Sequence, residues 1–201
     1  MKLIIIRHGE TAWTLTGQLT GASDVPLTAH GRRQATALRE IVGRLVALGS
    51  PIVFSSPRTR ALDTARLALP GEEITVEPLL EEFGYGLYEG LTPTQVRERE
   101  PGWDIWHDGC LEGELMSEVA ARADRFLQLR VGESDDALVI AVTHGHFSRI
   151  LAARALGLSG DQGRLFASAT ASVSVVEDYH GERCLGLWNA SSDVLYGPYQ
   201  G

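Results

Sequence analysis

The chain has 201 residues, of which 44% are hydrophobic and 22% charged, and its formal net charge is −8. This length and composition suit one folded domain with a sizeable core, and we expect a single domain over residues 1–201. Lys2 is the only lysine, and no cluster of arginines replaces the basic face that a nucleic-acid-binding protein needs. No nucleic-acid partner is therefore expected.

The sequence also lacks the patterns of membrane and secreted proteins. No apolar run approaches the roughly 20 residues that span a bilayer, so no membrane partner is expected. Lys2 is followed by only four apolar residues, which is too short for the apolar region of a signal peptide. Cys110 and Cys184 are far apart and in no metal-binding or redox spacing. We expect a cytoplasmic protein without a disulfide framework.

The first eleven residues combine a strand pattern with reactive side chains. The apolar, β-branched run from Leu3 to Ile6 predicts a strand buried on both faces of a parallel sheet. Arg7, His8 and Gly9 follow at the carboxyl end, where open α/β sheets bind ligands. Arg7 offers a planar fork for an anion, and His8 a nitrogen that can act as base, ligand or nucleophile. Two ordinary surface residues would fit the tripeptide equally well.

A second apolar strand at 51–54 also ends in polar residues. Pro57 suits the first turn of a helix that we expect to extend to about Leu69. Arg58 would lie in that first turn, whose free amides and positive dipole end favour an anion. The other charged residues of this helix are interpreted as a surface stripe: Arg60, Asp63 and Arg66.

The remaining patterns predict alternating strands and helices. Helices are expected at 29–48, 92–99, 115–130 and 147–156, strands at 73–77 and 137–142, and a terminal hairpin at 171–179 and 183–188. Residues 12–27 are rich in glycine and threonine and predict a structured loop over the first strand end. The strand at 137–142 is followed by Thr143-His144-Gly145-His146, which repeats the opening pattern of strand, histidine and glycine.

Residues 79–90 form an acidic segment with aromatic residues and glycines. A carboxyl group placed among Phe83, Tyr85 and Tyr88 loses part of its hydration and becomes a candidate general acid. Glu81 and Glu82 are the competing candidates. Solvated loop carboxylates are the alternative interpretation for any one of the acidic residues.

In this order and spacing, the motifs resemble the histidine phosphatase superfamily, which has the phosphoglycerate mutase-like fold. The resemblance covers nearly the whole chain and is carried by four motifs, Arg7-His8-Gly9-Glu10-Thr11, residues 55–65, Gly86-Leu87-Tyr88-Glu89-Gly90 and Val142-Thr143-His144-Gly145-His146. Residues 17–21, 24–28 and 103–110 resemble most the branch with acid phosphatases and sedoheptulose bisphosphatases. Leu115 departs from that branch, which usually has Ser or Thr there, and this affects a helix N-cap or the pocket wall rather than the chemistry.

The resemblance implies a fold and a set of roles. The fold is a three-layer α/β/α sandwich with a mostly parallel central sheet. His8 is the nucleophile, and Glu82, preferred over Glu81 on spacing, is the acid. Phosphoryl oxygens are held by Arg7, Arg58 and His144, without a metal or other cofactor. The expected substrate contacts are Thr14, Thr20, Gly21, Gly145 and His146.

The function so implied is metal-independent hydrolysis of phosphate monoesters of sugars or related small metabolites through a phosphohistidine. The partner is a small-molecule phosphate ester, and a homodimer is one candidate for the oligomeric state. A phosphoglycerate mutase is the nearest alternative, although His107-Asp108 stands where mutases carry adjacent arginines. A metal hydrolase would use His144 and His146 with Asp135 or Glu82. A non-catalytic phosphate-ester binding protein is the third alternative.

Overall fold

The computed structural model describes residues 2–47, 49–131 and 137–191. Its strands are β1 (Lys2–Arg7), β2 (Ile52–Ser55), β3 (Ile74–Val76), β4 (Leu138–Thr143), β5 (Val173–Tyr179) and β6 (Glu182–Ala190). They form one mixed sheet in the order β3-β2-β4-β1-β5-β6. The first four in this order pair in parallel, whereas β5 and β6 form an antiparallel hairpin at one edge.

The helices lie between these strands. They are α1 (Ala12–Thr16), α2 (Ala29–Val46), α3 (Thr59–Ala68), α4 (Pro93–Arg99), α5 (Ile105–Asp108), α6 (Met116–Val131) and α7 (Gly145–Ala155). Short 3-10 helices occupy Pro78–Leu80, Gly86–Tyr88 and Gly160–Leu165. Within the described ranges, no helix combines the length and the apolar character needed to cross a membrane.

The alternation of side chains along β1 divides the core into two layers. Leu3 and Ile5 pack on the side of α6 and α7, whereas Ile4 and Ile6 pack on the side of α2 and α3. Burial of each such side chain stabilises the fold by about 1.5–3 kcal/mol. Helices therefore cover both faces of the sheet, and the predicted three-layer α/β/α sandwich is confirmed.

The predicted strands and helices are present with small shifts at their ends. Helix α2 ends at Val46, and Leu48, the predicted end, lies outside the described residues. Helix α1 was not expected within the loop at 12–27, where a reciprocal capping box between Thr11 and Thr14 stabilises one helical turn. Leu115 provides no hydroxyl cap for α6, but its backbone N–H donates to Glu118 Oε2 at 2.8 Å.

The parallel pairing brings three strand ends to one edge of the sheet. Arg7 at the end of β1 is in register with Thr143 at the end of β4. On the other side of β4, Ser55 at the end of β2 is in register with Val142. The polar residues that follow β1, β2 and β4 are therefore neighbours in space, as expected for a ligand site in an α/β sheet.

Candidate active site

His8 lies directly after β1, and its side chain is buried. Its Nδ1 is 2.7 Å from the carbonyl oxygen of Gly9. Because a carbonyl oxygen only accepts, Nδ1 carries the proton and Nε2 keeps a free lone pair. Burial lowers the pKa of His8 well below its ordinary value of 6.5, and the charges of Arg60 and Arg7 lower it further. His8 is therefore a neutral imidazole with a nucleophilic nitrogen.

His144 follows β4, and its ring centroid is 5.2 Å from that of His8. Arg60 Nε donates to His144 Nδ1 at 3.2 Å. The proton of the neutral ring is therefore on Nε2, which donates to Ser56 Oγ at 2.7 Å. Burial lowers the pKa of His144 well below 6.5, and Arg60 acts in the same direction. His144 is thus a neutral donor beside the candidate nucleophile.

Arg60 is fully buried, so its interpretation as part of a surface stripe was wrong. Helix α3 begins at Thr59, and Arg60 then shares the buried helix face with Thr64 and Ala68, four and eight residues later. Its Nη1 donates to the carbonyl oxygen of Ser23 at 2.7 Å. Its Nη2 donates to the carbonyls of Thr20 and Gly21, at 2.9 and 3.1 Å. Arg60 therefore ties the loop at 20–23 to His144.

Two other arginines carry buried donors without partners. The Nε atoms of Arg7 and Arg58 are buried and make no hydrogen bond within the described part of the chain. Arg7 also donates through Nη1 to the carbonyl oxygen of Ser168. Arg58 is the N-cap of α3, and its Nη2 lies 2.9 Å from Glu81 Oε1. An unpaired buried guanidinium donor is costly, and an anion bound beside it would remove that cost.

Glu82 lies at the N-terminus of α7, whereas the half-buried Glu81 pairs with Arg58. Glu82 Oε1 accepts from the backbone N–H groups of Phe83 and Phe147, each at 2.9 Å. Its Oε2 accepts from the N–H of His146 at 3.0 Å. The free amides and dipole of a helix N-terminus favour a carboxylate at this place. Of the two competing carboxylates, the structure places Glu82 in the site.

Arg122 of α6 fixes the backbone that carries Glu82. Its Nη1 donates to the carbonyls of Leu79 and Glu81 at 2.9 and 2.6 Å, and its Nη2 to that of Glu82 at 3.1 Å. The same guanidinium pairs with Glu114 at 2.9 Å. Sequence reasoning missed Arg122 because α6 is distant in sequence, and only the packed fold brings it to this loop.

A cavity of about 190 Å³ opens at this edge of the sheet. Seven residues expected in the site line it: Arg7, His8, Thr14, Thr20, Glu82, Gly145 and His146. Seven other lining residues were not expected: Gly17, Gln18, Leu19, Tyr85, Pro93, Arg149 and Ser168. His144, Arg58 and Gly21 are outside this lining. The role of Arg58 as a clamp therefore stays a prediction.

The loop residues expected to contact the substrate are held by the protein itself. Thr14 Oγ1 donates to the carbonyl oxygen of Thr11 at 2.9 Å and accepts from the backbone N–H of Thr11 at 2.9 Å. Thr20 Oγ1 donates to the carbonyl of Gln18 at 2.9 Å. Gly21 passes so close to Phe83 that a Cβ would lie 2.6 Å from the Phe83 carbonyl oxygen. Their contacts with a substrate stay predictions.

The two remaining expected residues border the cavity directly. A Cβ on Gly145 would lie 3.1 Å from Arg7 Cζ, so glycine leaves room for the guanidinium. His146 Nδ1 forms a hydrogen bond of 2.8 Å with Tyr85 Oη. Burial lowers the pKa of His146 to about 4, so this ring is also neutral.

The donor groups of the described residues do not favour the metal alternative. In residues 2–47, 49–131 and 137–191, no group of three or more His, Cys, Asp or Glu side chains could hold a metal ion. Both ring nitrogens of His144 are engaged in hydrogen bonds, so this ring offers no free lone pair to a cation. Asp135, the other expected ligand, lies outside the described residues.

Because His8, His144 and His146 are buried as neutral rings, we expect acid to destabilise the protein. The unfolded chain binds their protons near the ordinary pKa of 6.5, whereas burial lowers all three folded pKa values, that of His146 to about 4. The unfolded state therefore binds more protons below pH 6.5, and the free energy of unfolding falls as the pH drops through this value. Each histidine contributes up to about 1.4 kcal/mol per pH unit.

Urea unfolding between pH 7 and pH 5 would measure this slope. His146→Asn should reduce the slope by up to about 1.4 kcal/mol per pH unit, which corresponds to one bound proton. His107→Asn is the control, because that side chain is 60% exposed, and it should leave the slope unchanged. Equal slopes for wild type and His146→Asn would contradict the prediction.

Comparisons with known proteins agree with this geometry. The acid phosphatase of Mycobacterium tuberculosis (strain ATCC 25618 / H37Rv) is 44% identical over 187 residues, covering 92% of this chain and 91% of that protein. Sedoheptulose 1,7-bisphosphatase of Saccharomyces cerevisiae is 34% identical, covering 78% of this chain and 68% of that protein. The probable phosphoglycerate mutase GpmB of Enterobacter sp. is 29% identical, covering 88% of this chain and 85% of that protein. Two of these three relatives are named as phosphatases, which supports the assignment of this protein as a phosphatase.

The fold and the family agree as well. The solved structure of the open reading frame Rv3214 from Mycobacterium tuberculosis has a TM-score of 0.89 and 43% identity, covering 94% of this chain and 97% of that chain. The sequence model of the histidine phosphatase superfamily (branch 1) matches residues 3–191. Because that match extends over most of the chain, this protein belongs to the histidine phosphatase superfamily, branch 1.

Proposed function

We propose that this protein is a metal-independent phosphatase that hydrolyses phosphate monoesters of sugars or related small metabolites through a phosphohistidine on His8. The observation that carries the proposal is the state of His8. The Gly9 carbonyl holds the proton on Nδ1, and burial keeps the ring neutral, so the Nε2 lone pair is available at the cavity.

In the first step, His8 Nε2 attacks phosphorus and the bond to the ester oxygen breaks. Arg7 lies beside the cavity with its unpaired Nε donor and neutralises charge on the equatorial oxygens. Glu82 is the general acid in this proposal and gives a proton to the leaving alkoxide. His144 supplies a further donor when its Nε2–H turns from Ser56 to a phosphoryl oxygen, and Arg58 is the second cationic clamp in this proposal.

In the second step, water attacks the phosphohistidine and the bond between phosphorus and Nε2 breaks. Glu82, now a carboxylate, takes the proton from the attacking water, which restores the acid for the next cycle. Inorganic phosphate leaves and His8 returns to its neutral tautomer. In these two steps, atoms and protons balance with groups of this chain and one water, without participation of a metal ion.

The mutase alternative requires cations that keep the substrate in place for return of the phosphoryl group. At the corresponding position, the His107 side chain is 60% exposed and lies 3.9 Å from Asp104 Oδ2. Asp108 accepts from the backbone N–H of Asp104 at 2.7 Å. Neither side chain is an arginine that could hold a second anionic group of a substrate. This favours transfer of the phosphoryl group to water, and hence a phosphatase.

Phosphate release from a panel of phosphomonoesters in EDTA tests this function. The expected result is release that persists in the chelator and as the pH falls below 6.5, because burial lowers the pKa of His8 well below that value. Release that requires added metal would reject the proposal. Isomerisation of a phosphoglycerate without phosphate release would instead identify a mutase.

A further inference from the structure

The ion pair between Arg122 and Glu114 lies against the loop that carries Glu82. Arg122 Nε donates to Glu114 Oε1 at 3.1 Å, and its Nη2 donates to Oε2 at 2.9 Å. The two side chains are only 15% and 28% exposed. A guanidinium that binds a carboxylate through two donors is fixed in its orientation. The remaining donors of Arg122 therefore point to the loop in a fixed direction.

Each member of the pair holds the main chain on a different side of Glu82. Arg122 donates to the carbonyl oxygens of Glu81 and Glu82 at 2.6 and 3.1 Å. Glu114 Oε2 accepts from the backbone N–H of Gly84 at 2.7 Å, and the backbone N–H of Glu114 donates to the Gly84 carbonyl at 2.8 Å. The main chain is thus bonded to the pair before, at and after the residue that bears the carboxyl group.

Arg122 also contacts the helix that binds this carboxyl group. Its guanidinium carbon is 4.5 Å from the ring centroid of Phe147, a cation–π contact. The backbone N–H of Phe147 donates to Glu82 Oε1 at 2.9 Å. One side chain therefore touches both the main chain of Glu82 and the residue whose amide binds its carboxyl group. The position of Glu82 relative to α7 depends on Arg122.

The proposed steps require the carboxyl group of Glu82 in one place, first beside the leaving oxygen and then beside water. A displacement of about 1 Å in such a position can cost about 100-fold in rate. Arg122 and Glu114 are outside the lining of the cavity, so they act on a bound ester through Glu82 rather than by touching it.

We propose that Arg122 and Glu114 are positioning residues for the general acid, and that together they hold the Glu82 carboxyl group where it can protonate the leaving alkoxide. This inference rests on the proposed function, because that function assigns the proton transfer to Glu82. It adds that two residues outside the cavity determine how strongly the rate depends on the leaving group.

The test compares kcat/KM for glycerol 3-phosphate, whose leaving alkoxide needs a proton, and for p-nitrophenyl phosphate, whose leaving group does not. Arg122→Gln should lower kcat/KM for glycerol 3-phosphate about 10-fold to 100-fold more than for p-nitrophenyl phosphate. Glu114→Gln should show the same selective loss to a smaller extent, because its amide oxygen can still accept one hydrogen bond. This second variant decides the question if Arg122→Gln does not fold.

Arg154→Gln is the matched control. Arg154 forms a similar two-bond pair with Asp124, at 2.8 and 2.9 Å, and donates to the carbonyl of Leu158 at 2.9 Å. Its loss removes a comparable ion pair that does not contact the Glu82 loop, so both esters should be affected by the same factor. If the variants of Arg122 and Glu114 also lower both esters equally, the pair only supports the fold, and the inference is overturned.

A double substitution tests whether the effect passes through Glu82. When Glu82→Gln is already present, adding Arg122→Gln should change the difference between the two esters less than about twofold. A selective loss that persists in this background would overturn the inference, because Arg122 would then act on the leaving group by another route.

Hydrogen exchange separates this inference from the proposed function. The amides of Phe83 and Phe147 donate to Glu82, so their exchange reports the position of its carboxyl group without turnover. Arg122→Gln should exchange them about 10-fold faster than Arg154→Gln does. Equal exchange in these two variants rejects the positioning role even if hydrolysis is rapid. Faster exchange supports it even if Glu82→Gln affects both esters equally, a result that would reject only the acid assigned in the proposed function.

Discussion

Replacing His8 by alanine is expected to lower kcat for every phosphomonoester by about 10⁵-fold or more, as removal of a catalytic nucleophile does elsewhere. Of the two histidines that line the cavity, His8 is the one whose Nδ1 proton is held by a backbone carbonyl, whereas His146 Nδ1 bonds Tyr85 Oη. The loss should therefore not depend on the leaving group. Single-turnover and steady-state phosphate release would measure it.

His107→Ala is the control for this substitution, because His107 is exposed on α5 and should change kcat less than about twofold. Circular dichroism and phosphate binding should show that His8→Ala remains folded with its arginines in place. A His8→Ala protein that keeps wild-type turnover would refute the nucleophile assignment.

Glu82→Gln is expected to lower kcat about 10²-fold to 10⁴-fold, the contribution typical of a general acid–base group. The glutamine oxygen can still accept from Phe83 and Phe147, but the amide nitrogen cannot accept from the His146 N–H. Because two of the three hydrogen bonds of Glu82 remain, the fold and phosphate binding should persist while proton transfer is lost. The effect should be largest for alkyl phosphates, whose leaving alkoxide needs a proton, and smallest for p-nitrophenyl phosphate.

Glu81→Gln is the natural comparison, because Glu81 pairs with Arg58 instead of lining the cavity. It should cost less than about 10-fold in kcat for either type of ester. Equal losses of kcat/KM, which excludes the later attack of water, for glycerol 3-phosphate and p-nitrophenyl phosphate in Glu82→Gln would show that Glu82 does not protonate the leaving group.

The strand ends of the site were predictable because their signals are local. A short apolar run of β-branched residues predicts a buried strand, and the residues after it must then lie at the sheet edge. The segments at Arg7-His8-Gly9 and His144-Gly145 follow this rule, and the structure places them side by side. The choice between Glu81 and Glu82 needed the path of the loop, because adjacent side chains there point to different surroundings.

Arg60 shows where local reasoning fails. Arginine is usually exposed, and that general preference led to its interpretation as a surface residue. The helix face shared with Thr64 and Ala68 was a usable signal, since residues four apart lie on one face. Even so, its partners are carbonyls of the loop at 20–23 and a ring 84 residues away in sequence. Only the assembled fold provides such contacts.

Arg149 was missed for a related reason. Its position on α7 is visible in the sequence, but its orientation depends on Trp106 and on the carbonyls of residues 163–164. These segments lie on opposite sides of α7 in sequence. Contacts of this kind depend on several distant segments, whereas the residues that follow β1, β2 and β4 are brought together by strands that end at one edge of the sheet.

Trapping of the phosphorylated intermediate tests the central claim most directly. Wild-type protein mixed with a rapidly hydrolysed ester in EDTA and quenched in alkali should carry one acid-labile phosphoryl group, which peptide mapping should place on His8. His8→Ala should carry none, whereas Glu82→Gln should accumulate more of it with p-nitrophenyl phosphate, because attack of water then becomes slow. Rapid hydrolysis with no phosphoryl group on His8 in any of these proteins would contradict the phosphohistidine mechanism.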